Sequence, residues 1–269
     1  MTGPELLAAH AGILRTRVGA CWPGKRAVFR GHDLHRDLRH ADWLELYLFG
    51  ITGRRFTPQQ IKLLHGIWVV TSYPDTRIWN NRVAGLAGSS RSTPVLGIAA
   101  ALAISEAWIY GGVPGVRAID FFLRAGKAVE AGDDLRGLVH RELESRHIVF
   151  GYGRPIDSND ERLPWLTGLA KAQGLGDGRH FMLAREVEKI LVEELGKLPL
   201  RMNYAGITAS LGADLGLTPR EFHLFRVPMF LAGMPPCWSE AAEKPEGALF
   251  PTPCSGIAYE GVEKRSWRA

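Results

Sequence analysis

Cysteine is scarce in this chain of 269 residues: there are three, Cys21, Cys237 and Cys254, widely spaced and with no Cys-x-x-Cys pair. That excludes a disulfide framework and a cysteine-rich zinc site, and it fits a reducing cytoplasm. Long apolar runs are missing too. The longest, Val95 to Tyr110, is broken by Ser105 and Glu106 and is too short and too polar to span a bilayer. No signal peptide is read at the N-terminus, which lacks an uninterrupted apolar stretch leading to small residues. Neither charge sign dominates, since 33 Lys+Arg face 28 Asp+Glu for a net charge of +5. The excess lies at the ends: positions 1–60 hold nine basic and five acidic residues, and the last nine hold three and one. A nucleic-acid protein would show a dense basic stripe with interleaved aromatics. The surplus is therefore assigned to solubility and a few anion contacts. No repeat of 20–50 residues occurs. Sustained strand alternation is almost absent, with one short extended piece expected near Arg26–Phe29.

What is present is helix. The hydrophobic fraction of 46% and charged fraction of 23% are those of a globular chain. Three segments open with Thr-Pro: Thr57-Pro58, Thr93-Pro94 and Thr218-Pro219. Threonine caps the orphan N–H groups of a first turn, and proline fits that turn because its missing N–H costs nothing there. Gln60 and Glu221 complete two capping boxes. Residues 95–108 are apolar nearly all round, which predicts a buried central helix. Val116, Ile119, Phe122 and Leu123 share one helical face, as do Leu135, Leu138, Val139 and Leu143. Val187, Ile190, Leu191 and Leu195 form another, ending at Gly196. The fold class expected is all-α. Boundaries are drawn at Gly111–Pro114 and Leu198–Leu200, with a charged helical lobe between them. The Pro- and Gly-rich stretch from Pro235 reads as an arm laid over something, such as a partner subunit.

The polar candidates are weaker. Gly151-Tyr152-Gly153-Arg154-Pro155 is a turn whose glycines let backbone N–H groups approach an anion or a flat ring. A plain turn is the stronger reading on spacing alone, because the strand-to-helix setting of a dinucleotide fingerprint is missing. His32, His35 and His40 lie close in sequence with Asp33 and Asp37, but no HExxH occurs and a solvated polar segment explains them better than a metal. His65, on an otherwise apolar helix, reads as a satisfied core or interface residue. The serines lack a nucleophile-elbow setting.

Taken in order, these segments resemble the citrate synthase superfamily, in the short form typified by citryl-CoA lyase and the C-terminal part of ATP-citrate lyase. Val28-Phe29-Arg30-Gly31-His32-Asp33-Leu34 resembles the family's opening V-x-G-Y-D-L. Tyr110-Gly111-Gly112 stands where the family has His-Gly-Gly. Phe150 to Pro155 resembles Pro-Gly-Phe-Gly-His-Pro, and Asp160-Glu161-Arg162 resembles Asp-Pro-Arg. Leu198-Pro199-Leu200 with Asn203-Tyr204-Ala205-Gly206 is similar to L-P followed by Asn-Val-Asp-Gly. Ile257 to Gly261 resembles the closing Y-x-G.

The resemblance implies a citrate synthase-like all-α homodimer, with a large helical domain (1–114 and 201–269) and an inserted small one (115–200). It implies C–C bond lyase or synthase chemistry on a CoA thioester or related carboxylic acid, with no further cofactor, no metal, no membrane and no nucleic acid. Tyr110, Arg154 and Asn203 fall at catalytic positions. Gly111, Gly112, Gly151, Tyr152, Gly153 and Arg162 fall at substrate-binding ones. The departures concern proton handling. Tyr110 and Arg154 replace two histidines. The catalytic aspartate is Ala205 in a gapless alignment, or Asn203 if the register slips by two, and neither is a base. The later substrate arginine falls at Met229, and Glu161 replaces a proline. Asp157 or Asp160 would have to supply a base. The alternative is a non-catalytic relative that binds a ligand or a partner subunit.

Overall fold

The computed structural model describes residues 2–12, 14–154, 159–249 and 254–267, with all side chains there except those of Glu194, Leu198 and Cys254. In chain order the elements are α1 (Gly3–His10), β1 (Gly19–Trp22), β2 (Arg26–Phe29), β3 (His32–Asp33), α2 (Trp43–Thr52), α3 (Pro58–Val69), α4 (Trp79–Ser89) and α5 (Pro94–Ile104). There follow α6 (Gly112–Glu130), α7 (Leu135–Arg146), α8 (Arg162–Ala172), α9 (Arg179–Lys189), α10 (Tyr204–Asp214), α11 (Pro219–Arg226) and α12 (Met234–Glu243). The protein is helical, as the sequence predicts. The extended piece at Arg26–Phe29 is the middle strand of a small antiparallel sheet ordered β1-β2-β3.

The helices begin where side chains can satisfy their first N–H groups. The hydroxyls of Thr57, Thr93 and Thr218 accept from the backbone N–H of Gln60, Leu96 and Glu221, and a proline follows each cap. Gln60 and Glu221 return a bond to the cap N–H, which closes both capping boxes. Asp42 and Asp134 cap α2 and α7 with carboxylates.

The chain divides into two compact units. The first comprises Met1–Thr71 and Ala107–Met229. Its centre is α6, whose Ala118, Ile119, Phe121, Phe122 and Ala125 are buried. On it pack α9, α11 and the almost wholly buried α10. Asp214, at the end of α10, accepts from the backbone N–H of His180 (2.7 Å) and Phe181 (3.0 Å) and so caps α9.

The second unit comprises Ser72–Glu106 and Phe230–Ala269. Here α4 packs between α5 and α12 around Ala84, Ala101 and Met234. Small residues allow the close approach: a Cβ on Gly88 would overlap the Trp238 carbonyl. Trp238 Nε1 donates to Ser92 O at 3.1 Å. Two expectations are corrected here. The helix at 94–104 is not buried: only Gly97 and Ala101 are, while Val95 is 77% and Leu96 66% exposed. Apolar composition all round says that both faces avoid water, but within this chain only one face finds cover. The stretch from Pro235 does not begin as an arm. It forms α12, because Pro235 and Pro236 stand in the first turn, where no N–H is needed.

Candidate active site

The glycine turn and the start of α10 are one construction. Gly151 and Gly153 have φ of 101° and 82°, the region that favours glycine. Tyr152 bridges Met202 in antiparallel fashion. Asn203 N donates to Gly151 O at 2.9 Å, and Gly153 N donates to Arg201 O at 2.8 Å. A Cβ on Gly151 would lie 2.8 Å from Gly206 Cα and 3.6 Å from Ala118 Cβ, so the turn is wedged between α10 and α6. Asn203 locks the join. Its Oδ1 accepts from Ala205 N (2.9 Å) and Gly206 N (3.2 Å) as the N-cap of α10, while Nδ2 donates to Gly153 O at 2.6 Å. Tyr152 points into the core, where its hydroxyl donates to Ala184 O at 2.6 Å. Burial, aided by the Glu188 charge, pushes its pKa well up.

Beside this construction sits a buried ion pair. The Asp160 side chain is fully buried and takes a bidentate grip from Arg162, Nε to Oδ1 and Nη2 to Oδ2, both at 2.7 Å. Tyr204 N also donates to Oδ2 at 3.0 Å. Arg154 Nε lies 4.0 Å from the same carboxylate. Burial alone would raise the Asp160 pKa. The Arg162 hydrogen bonds and the charges of Arg162 and Arg154 outweigh it, and the carboxyl is held below its ordinary range. Arg154 also donates to Asn159 O (2.7 Å) and reaches Glu161 Oε2 at 3.4 Å. The Arg162 guanidinium stacks 4.2 Å from the centre of the Tyr204 ring. Below, the Tyr204 hydroxyl contacts Thr71 and donates to Ile67 O at 2.9 Å. Burial raises its pKa, with Thr71, Arg226 and Arg162 opposing.

Arg226 ties this cluster to the third predicted segment. It is 4% exposed, with its guanidinium over the Phe222 ring, Nε 3.3 Å from Met229 Sδ and Nη1 3.3 Å from Gly112 O. A Cβ on Gly115 would overlap that guanidinium, so glycine there makes room for it. Gly112 is the first residue of α6. Gly111 before it takes φ 76°, and Tyr110, next in line, is solvent-accessible.

In the first unit Arg154 and Arg162 are thus brought together on Asp160, with Arg162 over the Tyr204 ring, Asn203 is joined to the Gly151–Gly153 turn, and Gly112 meets Arg226. Their expected roles divide. Asn203 and Tyr152 are engaged in holding backbone, whereas Tyr110, Arg154 and Arg162 present polar groups. Asp160 is committed to Arg162 and Tyr204 N. Asp157 lies outside the described residues. The expected position of the substrate arginine holds Met229, and Arg226, whose burial the sequence also signals, lies three residues earlier. The signal was there, since Phe222, Phe225 and Arg226 follow helical spacing and share the buried face of α11. His65 is exposed, not in the core. It lines a groove of about 490 Å³ with Asp42, Glu45, Arg55, Phe56 and Lys62 that includes none of the predicted site residues.

The fold has close counterparts. Citryl-CoA lyase from Hydrogenobacter thermophilus superposes with a TM-score of 0.82 at 18% identity, covering 94% of this chain and 97% of the lyase. ATP citrate lyase from Methanothrix soehngenii, in complex with citrate and coenzyme A, gives 0.73 at 16% identity over 98% of this chain and 45% of that one. Citrate synthase from Thermoplasma acidophilum, with carboxymethyl coenzyme A and oxaloacetate, gives 0.64 at 17% identity over 84% and 59%. No protein-family profile and no curated protein sequence matches the chain. The architecture is therefore the citrate synthase-like fold, in the single-module length of citryl-CoA lyase.

Proposed function

We propose that this protein is a divergent relative of citryl-CoA lyase that binds a carboxylate-rich acid or its CoA thioester and makes or breaks a C–C bond in it. The observation that carries the reading is the arginine cluster. Arg154 and Arg162 converge on a single buried carboxylate, Asp160, the charge of Arg226 is felt at the neighbouring Tyr204, and their excess positive charge suits a di- or tricarboxylate. Tyr110 supplies a hydroxyl donor for a thioester carbonyl as it takes up negative charge. Arg154 and Arg162 grip the acid. Gly111, Gly112 and the Gly151–Gly153 turn leave backbone room for it. The CoA thioester is the substrate and no cofactor beyond it is required. Closure of the 115–200 lobe on the remainder belongs to the same proposal, as does a cytoplasmic location.

A homodimer is part of this reading. Val95, Leu96, Ala99, Ala100 and Ala103 form an exposed stripe at helical spacing along α5, and a second copy of the chain would cover it. Among the described residues no helix is long and apolar enough to cross a membrane.

A second reading, ligand binding without turnover, is favoured by one observation. Ala205 and Asn203 occupy the expected base position, and Asn203 has both ends of its amide engaged. The experiment offers citryl-CoA, and separately acetyl-CoA with oxaloacetate, while free thiol and melting temperature are followed. A ligand at 100 times its Kd stabilises by about 2.7 kcal/mol, a readily measured shift. Arg154→Ala or Arg162→Ala should weaken binding about 10- to 100-fold. Binding without thiol change would select the second reading, and no melting shift with any of these ligands would overturn both.

A further inference from the structure

We infer that Glu161 is the general base of this site, in place of the carboxylate that Ala205 lacks. The inference rests on the function proposed above. Proton abstraction next to a thioester carbonyl needs a carboxylate that is both accessible and close to the groups gripping the substrate. Asp160 fails the first requirement, because its side chain is fully buried and both oxygens are taken by Arg162 and Tyr204 N. Glu188 is committed to backbone, accepting from Met202 N at 2.8 Å. Glu161 meets both. Its side chain is 60% exposed, it stands between the two gripping arginines in sequence, and Oε2 reaches Arg154 Nη1 at 3.4 Å.

The local backbone places it there. Glu161 is the residue before α8 and makes no side-chain cap bond to that helix, so its carboxylate is not spent on the helix start. Asp160, one residue earlier, anchors the segment through its bidentate pair with Arg162, and a neighbour of such an anchor has little backbone freedom. A substrate carboxylate engaging Arg154 would draw that guanidinium from Glu161 and leave the Glu161 oxygen beside the bound acid.

The step balances. The α C–H bond of the acyl thioester breaks and its proton passes to a Glu161 carboxylate oxygen. The electron pair moves into the C–C bond and displaces the carbonyl π pair onto oxygen, where the enolate charge accepts a hydrogen bond from the Tyr110 hydroxyl. The reverse transfer returns a proton to carbon. In D2O it returns a deuteron instead.

The test is exchange of the acetyl-CoA methyl protons in D2O with oxaloacetate present, read by NMR, in wild type, Glu161→Gln and Glu161→Asp. Melting shifts with the same ligands are measured in parallel. Expected are exchange in wild type, a loss of about 10²- to 10⁴-fold in Glu161→Gln and partial recovery in Glu161→Asp, with the melting shift kept in all three. Exchange in Glu161→Gln at the wild-type rate overturns the assignment. So does absence of exchange in wild type with a normal melting shift, which leaves ligand binding standing. Absence of any melting shift overturns the proposed function and the base assignment with it.

Discussion

The two units of this chain bury different polar groups: the first takes in charged side chains such as Asp160 and Arg226, and the second the neutral Asn80, Asn81, Ser89 and Ser105. In the first, charged groups are drawn inside and answered, Asp160 by Arg162 and a backbone N–H and Arg226 by a carbonyl, a thioether and a ring, while the neutral amide of Asn203 is answered by three backbone groups. In the second, small and apolar side chains pack α4 against α5 and α12, and a whole apolar face of α5 remains in contact with solvent. Burying charge is expensive unless every partner is supplied, so the first unit concentrates its specificity in internal geometry. Leaving apolar surface in water forfeits about 25 cal/mol per Å², so the exposed face of α5 gives up that gain within this chain.

The largest effect expected from breaking this comparison is at Asp160. Asp160→Ala removes the buried carboxylate from the half-buried Arg162 and from Tyr204 N, and should cost about 1–3 kcal/mol, read by urea or thermal unfolding. Acid provides a second route to the same loss. The Asp160 pKa is lowered in the folded state, so its contribution is fully present above the unfolded carboxylate range near pH ~4 and is lost as pH falls through the depressed folded value. Wild-type stability should therefore drop on acidification below that range, and the drop should be smaller in Asp160→Ala. Equal pH profiles would mean that the pair does not control acid stability.

Next comes Asn203→Ala, which removes the cap of α10 and the bond to Gly153 O together. A loss of about 0.5–2 kcal/mol is expected, with the structural role separated from a catalytic one by Asn203→Asp. That variant keeps the capping acceptor and should recover the cap part of the loss. The smallest stability effect is expected in the second unit. Leu96→Lys, on the exposed face of α5, should change unfolding within about 0.5 kcal/mol at concentrations where the chain is monomeric. Sedimentation should nevertheless show the variant as monomer where wild type associates. A wild type that stays monomeric at micromolar concentration would remove the reason given for the apolar stripe.

Much of the fold was legible because its signals are local. Thr57-Pro58 with Gln60, and Thr218-Pro219 with Glu221, place helix starts by chemistry that acts within four residues. The positions of the glycine turn, of Arg154 and Arg162 and of Tyr110 were also readable, since each is a short motif in a fixed order. Three features were not. The exposure of α5 was hidden because composition reports a preference for burial and not what does the burying. The burial of Arg226 was not read, although it shares the inward helical face of α11 with Phe222 and Phe225. The commitment of Asp160 to Arg162 was invisible because Asp-Glu-Arg in sequence does not say which carboxylate turns inward.

By itself, the sequence determined a helical chain with few cysteines and where the three Thr-Pro helices begin. Tertiary structure alone decided how the polar residues of the candidate site are spent. It buried Asp160 under two arginines, engaged both ends of Asn203 in backbone bonds and brought Arg226 to Gly112. It also left Glu161 in the open beside Arg154. The physical reason is range. Capping and helical periodicity act between neighbours in the chain, whereas desolvation and charge pairing depend on which distant groups the packed fold brings within a few ångströms.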